Sequence, residues 1–495
     1  MNTYSSVTYL LDDYPKTLFP LNTTKVVVEN NSKELFDYIY QKVLNKREAE
    51  HSFLSQVRCY SSKHGLHLRR TVKLDPVAEL FIYDLIYKNR EAFRKDFTAQ
   101  RRSFGYRFQD GKPISATQGY ADFKAAIAQA RQQYEFSVRF DVATYFNSIY
   151  HHDLVAWFSE AGRSLEDVEY LGQFLREANA GRSVDCLPHG IHPCKVIGAE
   201  FLKFIDNFKK LQSQLLLRFM DDFYIFSDHQ ELLNEDFISI QRMLGEKGLS
   251  LNSAKTYYDD IFEQDVAQEI DDIKVGLLRF RRSLIQVYGQ AMEEGDEEEE
   301  YEQLSNEQVE YLLNLLKEPD IDESDAELVL VVLRDYGEDV LERINTFLER
   351  FPSLSRNVYN FCRYVNDINE LSALILNFLK NGKNITEEQL FWIAKLSEEF
   401  LSKTPHYGDI LFTLYNHQNA SVISRAKVLE IPEQRWGMDE LRKEHLRVGK
   451  SDWLAWASAI GCRGETRISR NHLLSYFSKA SPMNKLIGQC VINLP

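Results

Sequence analysis

The sequence predicts an N-terminal half of mixed strands and helices and a C-terminal half built of helices alone. Three observations carry this expectation. Strand-like runs of aromatic and branched residues alternate with helical stretches before residue 290, apolar residues recur at three- and four-residue spacing after residue 301, and an acidic run from Glu293 to Glu300 separates the two. The 495 residues are 44% hydrophobic and 27% charged, which suits two to four compact units at roughly 150 residues each and excludes a disordered, collagen-like or disulfide-scaffold chain.

The longest uninterrupted apolar stretch, Leu328 to Leu333, is far short of the about 20 residues a bilayer span needs, so no membrane partner is expected. The first residues, MNTYSSVTYLLDDYP, carry neither a basic nor an apolar leader region, and the six cysteines are scattered, so a cytoplasmic location is expected. The net charge of -15 is unevenly spread. Residues 291–495 hold 22 basic against 35 acidic side chains, whereas Arg58 to Lys112 holds 13 against 6, a surface suited to phosphates or simply to solvent.

Element by element, FSVRFDV (136–142) and LLLRFMDDFYIFS (215–227) read as strands. His151 to Asp153 reads as a helix start with an acid in its first turn. After the acidic run, QVEYLLNLLK, AELVLVVLRDYG, DVLERINTFLERF, ELSALILNFLKNG and EEQLFWIAKLSEEFL each have helical periodicity, and Thr386 with Gln389 forms a candidate capping box. Short connections between such helices suggest stacked pairs of HEAT-like character, with a plain bracing bundle as the alternative. The expected boundaries are 1–136, 137–290 and 301–495.

The strongest chemical signal is Asp221-Asp222 inside an apolar, aromatic strand pattern, matched by Asp141 inside an earlier one. Buried carboxylates repel unless a partner neutralises them. A tight hairpin tip exposes both adjacent acids, and a divalent cation relieves their repulsion. Three carboxylates on neighbouring strands are what two-metal in-line phosphoryl transfer requires.

These residues resemble the palm of the reverse-transcriptase family. FDVATYF (140–146) is similar to its first palm motif, Leu187-Pro188-His189-Gly190 to its LPQG motif, FMDD (219–222) to its YxDD box, and Leu249 to Thr256 to the next motif with its Lys255-Thr256. Arg69 to Pro76 and Gly105-Tyr106-Arg107 resemble fingers motifs more loosely. His189 stands where the family has Gln, and Phe219 where it has Tyr. The layout is similar to the abortive-infection branch of bacterial defence-associated reverse transcriptases.

The resemblance implies an α+β right-hand polymerase, with fingers (1–136) and palm (137–290), followed by an all-α HEAT-like helical domain. It implies a nucleotidyltransferase, a DNA polymerase or reverse transcriptase. Asp141, Asp221 and Asp222 would be catalytic, and the same acids with Val142 would hold Mg²⁺, or Mn²⁺ as the alternative. Lys73, Arg107, Phe146, His189, Gly190 and Lys255 would bind the nucleotide, Phe146 against the second carbon of the sugar. The resemblance further implies antiphage defence by abortive infection, with dNTPs as substrate and a single-stranded DNA product. Synthesis would need no conventional template, would be primed from a tyrosine of the protein, and would occur in a homo-oligomer. Tyr4, Tyr9 and Tyr14 are candidate primers on the premise that the N-terminal segment is mobile.

Other readings compete. Cys186, His189, His192 and Cys194 are four zinc-type ligands in nine residues, too compact to close a tetrahedron readily. Phe146 suits a core position as well as a sugar gate, and Trp453, Trp456 and Tyr476 suit a helix core better than base stacking. In function, an RNA-templated enzyme working with a noncoding RNA, and an idle palm acting as a nucleic-acid-binding module, stand beside the active polymerase.

Overall fold

A computed structural model describes residues 4–45, 51–93, 98–185, 187–260, 277, 280, 304–316, 318 and 321–495. The acidic run at 293–300, expected to separate the two halves, lies outside the described residues. The chain forms two compact units. Residues 1–18, 32–57 and 71–269 make the first, and residues 19–31, 58–70 and 270–495 the second.

Among the described residues the strands, in chain order, are β1 (Val57–Ser62), β2 (Leu68–Lys73), β3 (Arg101–Ser103), β4 (Phe108–Gln109), β5 (Lys112–Pro113), β6 (Phe136–Asp141), β7 (Leu215–Phe219), β8 (Asp222–Ser227) and β9 (Tyr257–Asp260). β1 pairs with β2 and β4 with β5, while the first unit is centred on a five-stranded sheet of order β3-β7-β8-β6-β9. β3 lies parallel to β7 and the other pairs are antiparallel.

Alternation in β6 explains how this sheet is buried. Phe136, Val138 and Phe140 point to one face and Ser137, Arg139 and Asp141 to the other. On the first face Phe140 stacks on Phe223, ring centroids 5.0 Å apart, and meets Phe237 of helix Gln230–Glu246 at 5.2 Å. Phe140 and Phe223 are fully buried, each contributing about 1.5–3 kcal/mol over exposure. On the second face Phe123, Ile127 and Ala130 of helix Ala116–Arg131 pack with Leu215, Leu217, Tyr224 and Phe226. The acids stand at the end of a sheet held from both sides. Helix Ser6–Asp13, capped by Ser5, packs on helix Pro76–Lys88, which Asp75 caps and Pro76 opens.

The C-terminal region is mostly helical, and its helices stack in two rows. In one row Ser355–Cys362, Glu387–Phe400, Val422–Leu429, Trp453–Gly461 and Pro482–Asn493 each contact the next. In the other, Ile344–Arg350, Ile368–Asn381 and Tyr407–Asn416 do the same. Thr386 and Gln389 form the expected capping box. DVLERINTFLERF is not one helix but two, Gly337–Leu341 and Ile344–Arg350, split by a tightened turn in which Arg343 N–H bonds Val340 O at 2.8 Å. Trp453 and Trp456 are core, 5.4 Å apart, but Tyr476 is 59% exposed and does not continue their stripe.

Residues 19–31 fold against these helices. Buried Glu430 accepts from the backbone N–H groups of Asn22 and Thr23, both at 2.8 Å, so it caps the opening of helix Asn22–Asp37. Lys427 Nζ neutralises the cluster at 2.6 Å from Glu398 and 2.7 Å from Glu430. Helix Asn22–Asp37 breaks at Asn31, where the boundary between the units falls.

Candidate active site

The turn from β7 to β8 is two residues long. Phe219 pairs with Asp222, leaving Met220 and Asp221 at the tip. Such short hairpin loops ask for a left-handed backbone, normally supplied by glycine or asparagine. Here Met220 supplies it, at φ 56°. A second strained residue, Thr144 at φ 45°, turns the chain after β6 into the short helix Tyr145–Ser148. Positive φ at a β-branched residue is uncommon, and strain of about 1–3 kcal/mol persists where the surroundings enforce it.

Register places the acids. Asp141 of β6 is the antiparallel partner of Asp222 on β8, so their side chains share one face of the sheet. The two-residue turn sets this register, with Asp222 opposite Asp141. Asp221 is tied to the same strand end through its carbonyl, which accepts from Val142 N–H at 3.3 Å. Burial raises the Asp222 carboxyl above the usual carboxylate range, Arg139 opposes that rise, and Asp141 adds to it.

The segment resembling the fourth palm motif runs alongside. Asn252 N–H bonds Asp141 O at 3.0 Å and Ala143 N–H bonds Ser250 O at 2.8 Å, which brings Lys255 Nζ to 3.2 Å from Asp141 Oδ2. Gly105 also reaches the hairpin: a Cβ there would lie 3.0 Å from Ala199 Cβ and 3.9 Å from Met220 N. Tyr106 stands 6.0 Å from Phe219, ring to ring. Arg107 is buried, its cation disfavoured by burial and favoured by Asp122.

Phe146 is 6% exposed, its ring centroid 4.4 Å from that of His189. The glycine at 198 makes room for it, since a Cβ there would come within 3.0 Å of the ring. Gly190, at φ +89°, lies so close to Leu18 that a Cβ would stand 2.4 Å from Cγ. Thr71 on β2 accepts from His189 N–H at 2.9 Å. Lys73, two residues on and on the same face of β2, is buried with its Nζ 2.7 Å from buried Glu79. The structure thus brings together Asp141, Val142, Asp221, Asp222 and Lys255, and separately Phe146, His189 and Gly190, and it pairs Lys73 with Glu79.

The three candidate tyrosines lie in ordered structure. Tyr9 is fully buried in helix Ser6–Asp13 with Oη 2.6 Å from His192 Nδ1, Tyr14 is buried in the turn that follows, and half-buried Tyr4 packs on Tyr87. Burial raises the Tyr4 and Tyr9 hydroxyl pKa values, against tyrosinate formation, and Asp12 and Asp13 respectively add to the effect. His192 also donates its backbone N–H to Asp13 Oδ2 at 2.8 Å, and Tyr83 donates to the same carboxylate. Of the zinc-type residues, Cys186 lies outside the described residues and Cys194 is buried in helix His192–Phe201.

Burial pushes the His192 imidazole from 6.5 down to about 4. In that window the unfolded chain binds the extra proton, so stability rises with pH, is fully present above about 6.5 and is lost as pH falls toward 4. We expect wild type to lose roughly 2 kcal/mol between pH 7 and pH 5 through this group, read as a lower urea midpoint. His192→Gln should flatten that slope. An equal slope in both proteins would exclude His192 as the source.

Sequence reasoning singled out neither Arg218 nor Gly198, both of which touch the hairpin tip. Neither residue carries a signal of its own in the sequence.

Among the described residues no group of three or more His, Cys, Asp or Glu side chains forms a ready-made metal cage. Two observations still suit a divalent cation. Asp141 Oδ1 is buried with no hydrogen-bond partner, and Asp222 faces it across the strands with its carboxyl pushed toward protonation by burial and, in smaller part, by that neighbour. Hard carboxylate oxygens are the donors such ions take.

Residues 92–259 match the family described as reverse transcriptase (RNA-dependent DNA polymerase). This part of the chain, which contains all three acids, is a reverse transcriptase domain. No curated protein matches the chain. Among solved structures it is similar to apo telomerase from Candida tropicalis, at 12% identity and TM-score 0.30, over 78% of this chain and 73% of that one. It is also similar to Candida tropicalis telomerase with the TWJ fragment of telomeric RNA, at 12% identity and TM-score 0.33, over 78% and 67% respectively. Overlap this loose carries no assignment of its own. No helix among the described residues is long and apolar enough to cross a membrane.

Proposed function

We propose that the chain is a DNA polymerase of reverse-transcriptase type, transferring deoxynucleotides from dNTPs to a hydroxyl with release of pyrophosphate. The observation that carries this reading is the pairing of Asp141 with Asp222 across β6 and β8, beside the strained tip that bears Asp221, inside a reverse transcriptase domain. Asp141, Asp221 and Asp222, with the Val142 carbonyl, would hold Mg²⁺ or Mn²⁺. Bound ions of this kind acidify an attacking hydroxyl and neutralise a leaving pyrophosphate.

The chain's own residues do the rest. Lys255 supplies a cation at the edge of the acids, where developing phosphate charge needs one, and Arg107 is the second cation assigned to the triphosphate. Lys73 serves the same end if triphosphate displaces Glu79 from it. Phe146, held between His189 and Gly198, excludes a 2′-hydroxyl by overlap. The test is incubation of purified protein with labelled dNTPs and Mg²⁺, with and without added nucleic acid. Metal-dependent incorporation is the expected result, and its absence under every condition would favour the idle-palm alternative.

The finer reading is antiphage abortive infection by a homo-oligomer with a HEAT-like helical domain, making DNA primed from a tyrosine of the chain. The motif resemblance and the two rows of stacked helices support it. Tyr4 is the least enclosed of the three candidate primers. After full denaturation, label that migrates with the polypeptide and is released by protease is the expected result; label found only in free nucleic acid would exclude protein priming.

Sugar choice gives a separate check. Phe146→Ala should admit ribonucleotides at least tenfold more readily relative to deoxynucleotides. The ratio is the readout, because losing a ring this buried costs about 3 kcal/mol of stability regardless of role. An unchanged ratio would return Phe146 to the core.

A further inference from the structure

We propose that Arg218 is a positioning residue that sets the geometry of the acid-bearing hairpin tip. Its guanidinium is fully buried and is committed on three sides. Nε donates to Asp206 Oδ1 at 2.9 Å and Nη2 to Asp206 Oδ2; Nη1 donates at 2.9 Å both to Ala199 O and to Met220 O. The last contact is the telling one. Met220 is the residue in the unfavourable left-handed conformation, and its carbonyl joins it to Asp221. Holding that carbonyl fixes the peptide plane from which the first acid projects and the start of β8, where Asp222 sits.

The other anchors are as informative. Asp206 ends the single-turn helix Lys203–Asp206, and Ala199 belongs to helix His192–Phe201, next to Gly198. A Cβ on Gly198 would meet both the Phe146 ring and, at 3.5 Å, Met220 Cε. One planar fork therefore registers the hairpin tip against the helix that seats Phe146. A lysine cannot reproduce this, because a single ammonium on a flexible stem lacks the fixed bidentate geometry.

A purely structural ion pair makes a different forecast. Replacing both partners of a buried pair by apolar groups of similar size is commonly neutral for stability, whereas a positioning role is lost with the fork. The proposal rests on the polymerase reading for its consequence, but not for its first measurement. In the full chain without metal, Arg218→Met combined with Asp206→Leu should remain folded and keep protection across β6 and at residues 215–218 and 223–227, while amide hydrogen exchange at residues 219–222 rises at least tenfold. Mn²⁺ binding followed by electron paramagnetic resonance should weaken at least tenfold. Incorporation should lose kcat with KM for dNTP changed less than threefold.

Tip exchange and Mn²⁺ affinity equal to wild type in the folded double variant would overturn the assignment. Should that variant fail to fold, Arg218→Lys keeps the charge and removes the fork, and the same two measurements decide. A wild-type chain that incorporates dNTP no better than Asp221→Asn would remove the polymerase reading, while the exchange difference would still decide what Arg218 does.

Discussion

Asp221→Asn is expected to lower deoxynucleotide incorporation by at least three orders of magnitude while leaving the fold intact. The substitution removes one charge and almost no volume from a half-buried tip residue, so the stability change should stay below about 1 kcal/mol. The activity change is larger because charge neutralisation at the reacting phosphate is worth several kcal/mol in the transition state, and each 1.4 kcal/mol is about tenfold in rate. Steady-state incorporation with excess Mg²⁺ measures it, alongside a denaturation curve for each protein. A variant within tenfold of wild type would take Asp221 out of the centre, leaving Asp141 and Asp222 as the pair to examine.

Gly190→Ala is expected to destabilise the first unit by about 3 kcal/mol or more. Two penalties add. The backbone at φ +89° is open to glycine and costs an L-residue about 1–2 kcal/mol, and the new methyl would lie 2.4 Å from Leu18 Cγ, a distance no rotamer tolerates. Overpacking of that kind typically costs a further 1–3 kcal/mol. Leu18→Ala in the same chain should recover part of the loss by removing the contacts at 2.4 and 2.8 Å, leaving the Leu18 Cβ position at 3.1 Å and the backbone term. Equal denaturation midpoints for wild type and Gly190→Ala would show that this loop relaxes freely.

What the sequence made legible was whatever rests on period and neighbourhood. Asp141 and the Asp221-Asp222 pair stood out because charges interrupt an apolar alternation, and the capping box of Thr386 and Gln389 was visible because it spans only four residues. The pairing of Asp141 with Asp222 was not, since register follows from turn length and a one-residue shift turns every side chain over. Arg218 was hidden for a related reason: its partners Asp206, Ala199 and Met220 come from three elements. At the N-terminus, terminal position suggested mobility, whereas Tyr9 and Leu10 are buried on a short helix capped by Ser5.

The carboxylate of Glu430 caps Thr23 from 407 positions away along the chain. Ribosomes add about 5–20 residues per second, so the opening of helix Asn22–Asp37 waits on the order of 20–80 s after it is made before its cap exists. During that interval the Asn22 and Thr23 N–H groups must be served by water or by a chaperone. Nascent chains stopped short of residue 430 should therefore expose this segment to protease, and protection should arrive only once the Lys427 and Glu430 turn has emerged. The timing of synthesis is built into the fold: the opening of helix Asn22–Asp37, made early, is among the last parts to be completed.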